Sequence, residues 1–260
     1  MLCLKYMSPK ILIFDLDSTL TESKQPMTRE IGEVLKKLLE KMPVAVMSGA
    51  DFPQFEKQLL SYLPADSNLE NLFLFPTSAA ECLEFKDEKW KPAYDFLFTK
   101  KEKGKIIRTF DAVLEKIKII EGESSFGERI EDRGEQITFS GLGQTAPLDL
   151  KKKWDPDHAK RKLLKQELEK IIPEFEITIG GLTSVDINRK GISKEDGIIW
   201  LSKRFNIDPS DMLYVGDALF EGGNDAKVKT TSVQVKQVSG PKETLAVTQE
   251  ILGKVPTASK

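Results

Sequence analysis

Strand-like and helical stretches alternate at both ends of the chain, with a different texture between them, which predicts an α/β fold: a Rossmann-like parallel-sheet core with an inserted α+β domain. Three observations carry this. Apolar runs at Ile11-Leu12-Ile13-Phe14, Val44-Ala45-Val46-Met47 and Met212-Leu213-Tyr214-Val215 read as buried strands. Between the first two lies a helix that Thr28 can cap, with Ile31, Val34, Leu35, Leu38 and Leu39 at helical spacing, so the segment is a βαβ unit. From about Cys82 to Asp186 the alternation breaks. The 260 residues suffice for one large domain plus a smaller insert, expected as a core of 1–81 and 187–260 and an insert of 82–186.

Element by element, Phe73 to Phe75 reads as a further core strand. The insert is expected to hold a helix around Thr109 to Ile117 and a hairpin-like pair from Glu128 to Ser140 turning about Arg133-Gly134. A helix from Pro156 to Ile172, ended by Pro173, and a strand Phe175 to Ile179 follow. The core resumes near Asn188. Ser193 and Asp196 form a capping-box-like start for a helix running to about Phe205. A short strand Ser232 to Val235 and a terminal helix from about Pro241 to Leu252 complete the chain, with a frayed tail after Gly253.

The chemistry is concentrated where the apolar runs end. Asp15 and Asp17 follow the first run, and side chains two apart on a strand point to one face, at the carboxyl edge where α/β sheets keep their ligands. Two like charges there call for a cation or a proton. A carboxylate pair so placed suits Mg²⁺ and a phosphate ester, with one acid as nucleophile and the other as proton donor. By itself the pair is explained as well by a helix cap or a solvated turn. Ser48 and Asp51 end the second run, and either can also be an N-cap. Lys194 falls in the first turn of its helix, where the dipole disfavours a cation unless an anion is near. Asp217, Asn224 and Asp225 end the fourth segment, in a string that an ordinary glycine-rich turn also explains.

In this order, Asp15-Leu16-Asp17-Ser18-Thr19, Ser48, Lys190-Gly191-Ile192-Ser193-Lys194 and Gly216-Asp217…Gly223-Asn224-Asp225 resemble the four motifs of the haloacid dehalogenase superfamily with a C2B-type cap. The long loop from Gly216 to Asp225, the segment Ile179-Gly180-Gly181-Leu182-Thr183-Ser184-Val185-Asp186 and the run Ile130-Glu131-Asp132-Arg133 are most similar to the eukaryotic-type phosphomannomutase family. The likeness runs from about Pro9 to Leu252, dense at the motifs and thin in the cap. It implies Asp15 as nucleophile and Asp17 as acid/base, with Ser48 and Lys194 on the phosphoryl oxygens. It also implies Mg²⁺ held by Asp15, the Asp17 carbonyl and Asp217, with Asn224 and Asp225 in or near its outer shell. Sugar-phosphate contacts fall on Lys24, Arg133, Gln144, Ser184 and Asp186, with Lys151 a less secure addition.

Departures from the family pattern bear on the reaction. Of the arginines that grip the sugar phosphate in the family, only Arg133 is retained. Lys24, Gln144 and Lys151 replace the others, and neither lysine nor glutamine reproduces a bidentate guanidinium. Ser18 stands for a glycine, and Thr77-Ser78-Ala79 stands where Glu-Asn-Gly is common. With the clamps diluted, Mg²⁺-dependent hydrolysis of a small phosphorylated metabolite, a sugar phosphate, is placed ahead of phosphomannomutase activity. A non-catalytic phospho-acceptor or sugar-phosphate-binding module is the third reading.

A net charge of -2 and a pI near 5.8 give no basic field for nucleic acid. The lysine runs at 100–105 and 151–153 read as solvated surface, the second lying where a cap can attract a phosphorylated substrate. Cys3 and Cys82 make no metal knuckle or disulfide framework, the first seven residues make no signal peptide, and no apolar run reaches membrane length. A cytoplasmic protein is expected, acting on a small metabolite without a nucleic-acid or membrane partner; a homodimer is compatible with this. The single histidine, His158, reads as surface. Trp90, Trp154 and Trp200 read as core or seam fillers.

Overall fold

The computed structural model describes residues 9–220 and 223–254. Cys3, the first residues and the tail expected to fray beyond Lys254 lie outside the described residues. Two compact units emerge: residues 1–94 with 193–260, and residues 95–192.

The first unit is built on a seven-stranded sheet in the order β11-β10-β1-β2-β3-β4-β5. Its strands are β1 (Ile11–Asp15), β2 (Val44–Met47), β3 (Leu72–Phe75), β4 (Glu81–Lys86), β5 (Lys89–Asp95), β10 (Met212–Gly216) and β11 (Gln234–Gln237). The helices are α1 (Arg29–Leu39), α2 (Phe52–Gln58), α6 (Lys194–Phe205) and α7 (Pro241–Lys254). From β11 through β3 the strands are parallel, and β4 returns antiparallel to β3.

Period-two alternation sorts the buried strands onto two cores. Leu12, Phe14, Val44, Val46, Leu72, Leu74, Leu213 and Val215 join Ile31, Leu35, Leu38 and Val247 from α1 and α7. Ile11, Ile13, Ala45, Met47, Phe73, Phe75, Met212 and Tyr214 join Ile198 and Leu201 of α6. Asp15 continues the second series and so faces the side covered by α6. Thr28 caps α1 as expected, its side chain accepting from Ile31 N at 3.4 Å, and Asp51, not Ser48, caps α2 by accepting from Gln54 N at 3.1 Å. The capping box at Ser193 and Asp196 forms, with Ser193 N donating to Asp196 Oδ2 at 2.8 Å.

Going outward from β1 on one side come β2 and β3, and on the other β10 and β11, so the connection order reverses between β1 and β10. Ligands of open α/β sheets settle at such a switch point. Asp15 ends β1 and Asp217 follows β10.

The second unit has a four-stranded antiparallel sheet, β6-β7-β9-β8, made of β6 (Ile130–Asp132), β7 (Ile137–Ser140), β9 (Ser184–Arg189) and β8 (Phe175–Gly180). With it are α3 (Lys100–Ile117), α4 (Leu148–Trp154) and α5 (Ala159–Ile171). Ile137, Phe139, Ile177, Val185 and Ile187 form one face and pack with Ile106, Phe110 and Val113 of α3 and Leu164 and Leu168 of α5. The opposite face is polar: Gln136 Nε2 donates to Asn188 Oδ1 at 2.9 Å and Thr138 Oγ1 to Asp186 Oδ1 at 2.8 Å. One apolar and one polar face is the usual economy of an antiparallel sheet.

The unit boundaries differ from those expected. The junction at 81/82 moves to 94/95, because β4 hydrogen-bonds onto β3 and carries β5 with it, and that at 186/187 moves to 192/193, because β9 stays paired with β8 as far as Arg189. α3 begins at Lys100 instead of near Thr109, started by a full capping box between Thr99 and Glu102. β11 sits two residues later than expected, and α5 starts at Ala159, after His158, which is exposed with φ +64°.

Candidate active site

Lys194 is the centre of the site. Its ammonium, 3% exposed, donates to Asp15 Oδ1, to Asp225 Oδ1 at 2.7 Å and to the Tyr214 hydroxyl oxygen at 3.2 Å. Tyr214 in turn donates to Asp225 Oδ1 at 2.6 Å, and Ala218 N donates to Asp225 Oδ2 at 3.3 Å. Position in the fold explains the convergence. Asp15 ends β1, Tyr214 shares its face on β10, α6 covers that face and starts at Lys194, and the loop after Gly216 returns to place Asp225. Gly216 is required here, since a Cβ would collide with Asp225 Oδ2.

Burial alone would push the Lys194 ammonium down, but the carboxylates of Asp15 and Asp225 outweigh it and hold it above its ordinary range. Asp15 lies well above the usual carboxylate range: burial raises it, Lys194 pulls it back, and Asp225 and Asp217 raise it further. Asp217 is also raised, by burial and then by Asp225. The Tyr214 hydroxyl is pushed far up by burial and the same acids, so it stays a donor.

One buried ammonium is therefore paired with two carboxylates, with a third, Asp217, beside them. Asp15, Asp217 and Asp225 each offer an oxygen, and these oxygens all lie within 4.8 Å of one another. All-oxygen donors with surplus negative charge fit a hard divalent cation of the Mg²⁺ type.

Several sequence expectations need correction. The Asp15 and Asp17 carboxylates do not share one face, because β1 ends at Asp15 and the chain turns at Leu16–Thr19. The Asp17 carboxylate instead accepts from Lys24 N at 2.6 Å and from Gln58 Nε2 at 3.3 Å. Asp225, expected in or near an outer shell, is fully buried inside the cluster, whereas its neighbour Asn224 is exposed. Lys24 meets Asp17 through its backbone N–H and not its side chain, which is exposed. Ser48 is buried one residue past Met47, the register partner of Asp15, and its Oγ accepts from Ala50 N at 3.1 Å.

The remaining expected contacts belong to the second unit. Ser184 and Asp186 lie on β9 within the polar face. Arg133, between β6 and β7, is held by Glu131 Oε2 at 2.7 Å and by Gln136 Oε1 at 3.2 Å. Gln144 accepts from Lys151 Nζ through its backbone carbonyl at 2.9 Å, while its side-chain Nε2 is buried without a hydrogen-bond partner.

Sequence reasoning missed Tyr214 and Gln58. Tyr214 is the single polar side chain within an otherwise aliphatic strand, a legible signal. Gln58 carries no such mark, and only the tertiary fold brings it to Asp17.

The fold and the acid-lined switch point define an enzyme of the haloacid dehalogenase superfamily. A haloacid dehalogenase-like hydrolase from Bacteroides thetaiotaomicron superposes with a TM-score of 0.63 at 12% identity, over 94% of this chain and 99% of that one. An N-terminally truncated, IMP-bound IMP-nucleotidase from Plasmodium falciparum gives 0.68 at 17%, over 95% of this chain and 68% of that one. At these identities the likeness is one of fold. The eukaryotic phosphomannomutase family model matches residues 31–254, and the chain belongs to that family. Among its relatives are a probable phosphomannomutase from Caenorhabditis elegans, 26% identical over 254 residues, covering 94% of this chain and 96% of that protein. Another is the phosphomannomutase of Spinacia oleracea, 27% identical over 256 residues, covering 93% and 95%. Among the described residues no helix is long and apolar enough to cross a membrane.

Proposed function

We propose that this chain moves the phosphoryl group of a hexose phosphate between two hydroxyls of the sugar, as a phosphomannomutase-type enzyme. The observation that carries phosphoryl transfer is the buried Lys194 ammonium shared between Asp15 and Asp225 beside Asp217 at the sheet's switch point. Membership of the phosphomannomutase family, over both units, favours the mutase outcome. This reverses the order that the diluted arginines suggested from sequence.

In the proposed reaction Asp15, phosphorylated beforehand by a hexose bisphosphate, gives its phosphoryl group to the free hydroxyl of the sugar monophosphate: the new ester P–O bond forms as the aspartyl P–O bond breaks, and Asp17 takes the hydroxyl proton, leaving a sugar bisphosphate. In the return step an Asp15 carboxylate oxygen bonds to the other phosphorus of that bisphosphate, its ester P–O bond breaks, and Asp17 gives the proton to the departing sugar oxygen. Lys194 and Ser48 are assigned to the phosphoryl oxygens, Lys194 also opposing the burial that would protonate Asp15. Gln58 and the Lys24 N–H hold Asp17 in position. A Mg²⁺ ion, when bound to Asp15, the Asp17 carbonyl and Asp217 with Asp225 and Asn224 adjoining, supplies positive charge that favours ionised Asp15 and offsets its repulsion by the ester. Sugar contacts are assigned to Lys24, Arg133, Gln144, Ser184 and Asp186.

A second reading, hydrolysis, is favoured by a specific observation: Arg133 is committed to Glu131, and Gln144 brings no charge where the family has arginine. A mutase must retain a bisphosphate; a phosphatase has no such need. Incubation with mannose 1-phosphate, Mg²⁺ and a hexose bisphosphate, followed by ³¹P NMR, separates the two. Mannose 6-phosphate supports the mutase reading, inorganic phosphate in its place supports hydrolysis, and neither product, or equal product from Asp15→Asn, removes both.

A further inference from the structure

A cavity of about 870 Å³ is lined entirely by residues of the second unit. That volume lies in the range of small-molecule sites. It opens where Phe175 of β8 pairs with Arg189 of β9, five residues along β9 from Ser184, or about 17 Å at the usual strand rise. No residue assigned above to the sugar or the acid cluster lines it.

Its wall is cationic and only partly neutralised. Lys101, Lys105 and Arg108 recur at helical spacing on α3, and all three are exposed. Arg189 is matched by Glu102, with Nη1 to Oε1 at 2.7 Å and Nη2 to Oε2 at 2.8 Å, and Lys105 is matched by Glu174. Lys101, Arg108 and Lys190 carry no ion pair among the described residues. Lys101 also lies in the first turn of α3, where the helix dipole disfavours a cation. A concave wall with this surplus charge and an apolar floor at Phe175 and Ile192 is suited to an anion with some apolar surface.

We propose that this cavity binds a compact small-molecule polyanion, carrying two or more phosphate groups, with Lys101 and Arg108 as its main contacts. The chain's overall charge of -2 and the concave shape favour a small molecule over nucleic acid. Arg189 also donates to the carbonyls of Phe96, at 3.2 Å, and Leu97, at 2.9 Å, so the site touches the first residues of the unit. The inference is independent of which sugar phosphate the enzyme uses.

The test is calorimetric titration of the full-length protein with inorganic tripolyphosphate, in EDTA so that the acid cluster is without divalent cation. Saturable binding is expected, weakened about tenfold or more in Lys101→Ala/Arg108→Ala and by rising salt, but unchanged in Arg133→Ala. Arg108→Gln alone gives the same reading should the double variant fold poorly. Absence of saturable binding, or affinity equal to that of wild type in Lys101→Ala/Arg108→Ala and in Arg108→Gln, overturns the site. A single-stranded oligonucleotide binding more tightly than tripolyphosphate through the same residues overturns the small-molecule assignment.

Discussion

The side-chain amide of Gln58 donates to Asp17 Oδ1 at 3.3 Å from a position 41 residues away, with its own Oε1 accepting from Gln54 Nε2 at 2.7 Å. Gln58 is 4% exposed and also donates to the Gln25 carbonyl at 3.1 Å, so the amide cannot turn away without stranding buried groups. Gln58→Leu is expected to lower kcat by on the order of tenfold, the usual scale for a residue that orients a reacting one. Gln58→Glu removes the amide donor and sets a second carboxylate against Asp17, and is expected to lower kcat at least as far. Unchanged kcat in both variants would leave Gln58 a purely structural residue.

Much of this site was legible because strand and chemistry coincide in the sequence: an apolar run that stops at Asp15, Ser48 or Asp217 announces both a buried strand and its carboxyl edge. Lys194 was legible through the capping box at Ser193, which fixes its place in the helix. The hairpin of β4 and β5 was not, since β5 is mostly exposed, contains Pro92 and shows no clean alternation. α3 hid its start because Lys100–Lys105 offers no apolar spacing, though Thr99 and Glu102 marked it. Asp225 was placed near the ion together with Asn224, but the difference between them was not legible: a loop's return path is set by packing, and nothing local shows that the Asp225 carboxylate goes inward while Asn224 stays out.

Lys194→Met removes the one ammonium among three acids. Breaking a buried ion pair in this way costs about 3–5 kcal/mol, and turnover is expected to disappear with it. The Asp15 carboxyl, already raised by burial, would then lose the charge that pulls it back. A raised carboxyl pKa favours the fold below the unfolded value and loses that advantage as pH rises. The variant should therefore be least stable relative to wild type near neutral pH and recover toward pH 4–5. Added Mg²⁺ should raise its Tm more than that of wild type, because the ion replaces the missing charge. Circular-dichroism melts across pH, with and without Mg²⁺, check both; a deficit independent of pH would show that the acids are not repelling one another.

Ser18 holds φ +61°, in the left-handed region where a Cβ is disfavoured, at the position where the family motif has glycine. Ser18→Gly relieves that strain but frees the unfolded chain, leaving a net gain of up to about 1 kcal/mol and a rise in Tm of about 2–4 °C. A fall in Tm would mean that the serine side chain contributes more than its backbone costs.

Asp155 and Arg161 form an ion pair within the second unit at 2.7 Å, each side chain 1% exposed, and Arg161 also donates to the carbonyls of Gly180 at 3.2 Å and Gly181 at 2.6 Å. The pair thus ties α5 to the turn that leads into Ser184. Burial would raise the Asp155 carboxyl, but hydrogen bonds from Arg161 and from the backbone N–H groups of Lys160 and Arg161 outweigh it and hold the group below the usual range. A depressed carboxyl pKa contributes stability that is present above the unfolded value and lost as pH falls through the folded one. Asp155→Asn, which leaves the guanidinium buried without its counter-charge, is expected to cost about 3–5 kcal/mol at neutral pH. The difference from wild type should narrow below about pH 4. Urea unfolding of a Trp90→Phe/Trp200→Phe background, in which fluorescence reports Trp154 of the second unit, compared at neutral and acid pH, measures it. Equal midpoints at neutral pH would show that Arg161 is held by the Gly180 and Gly181 carbonyls alone.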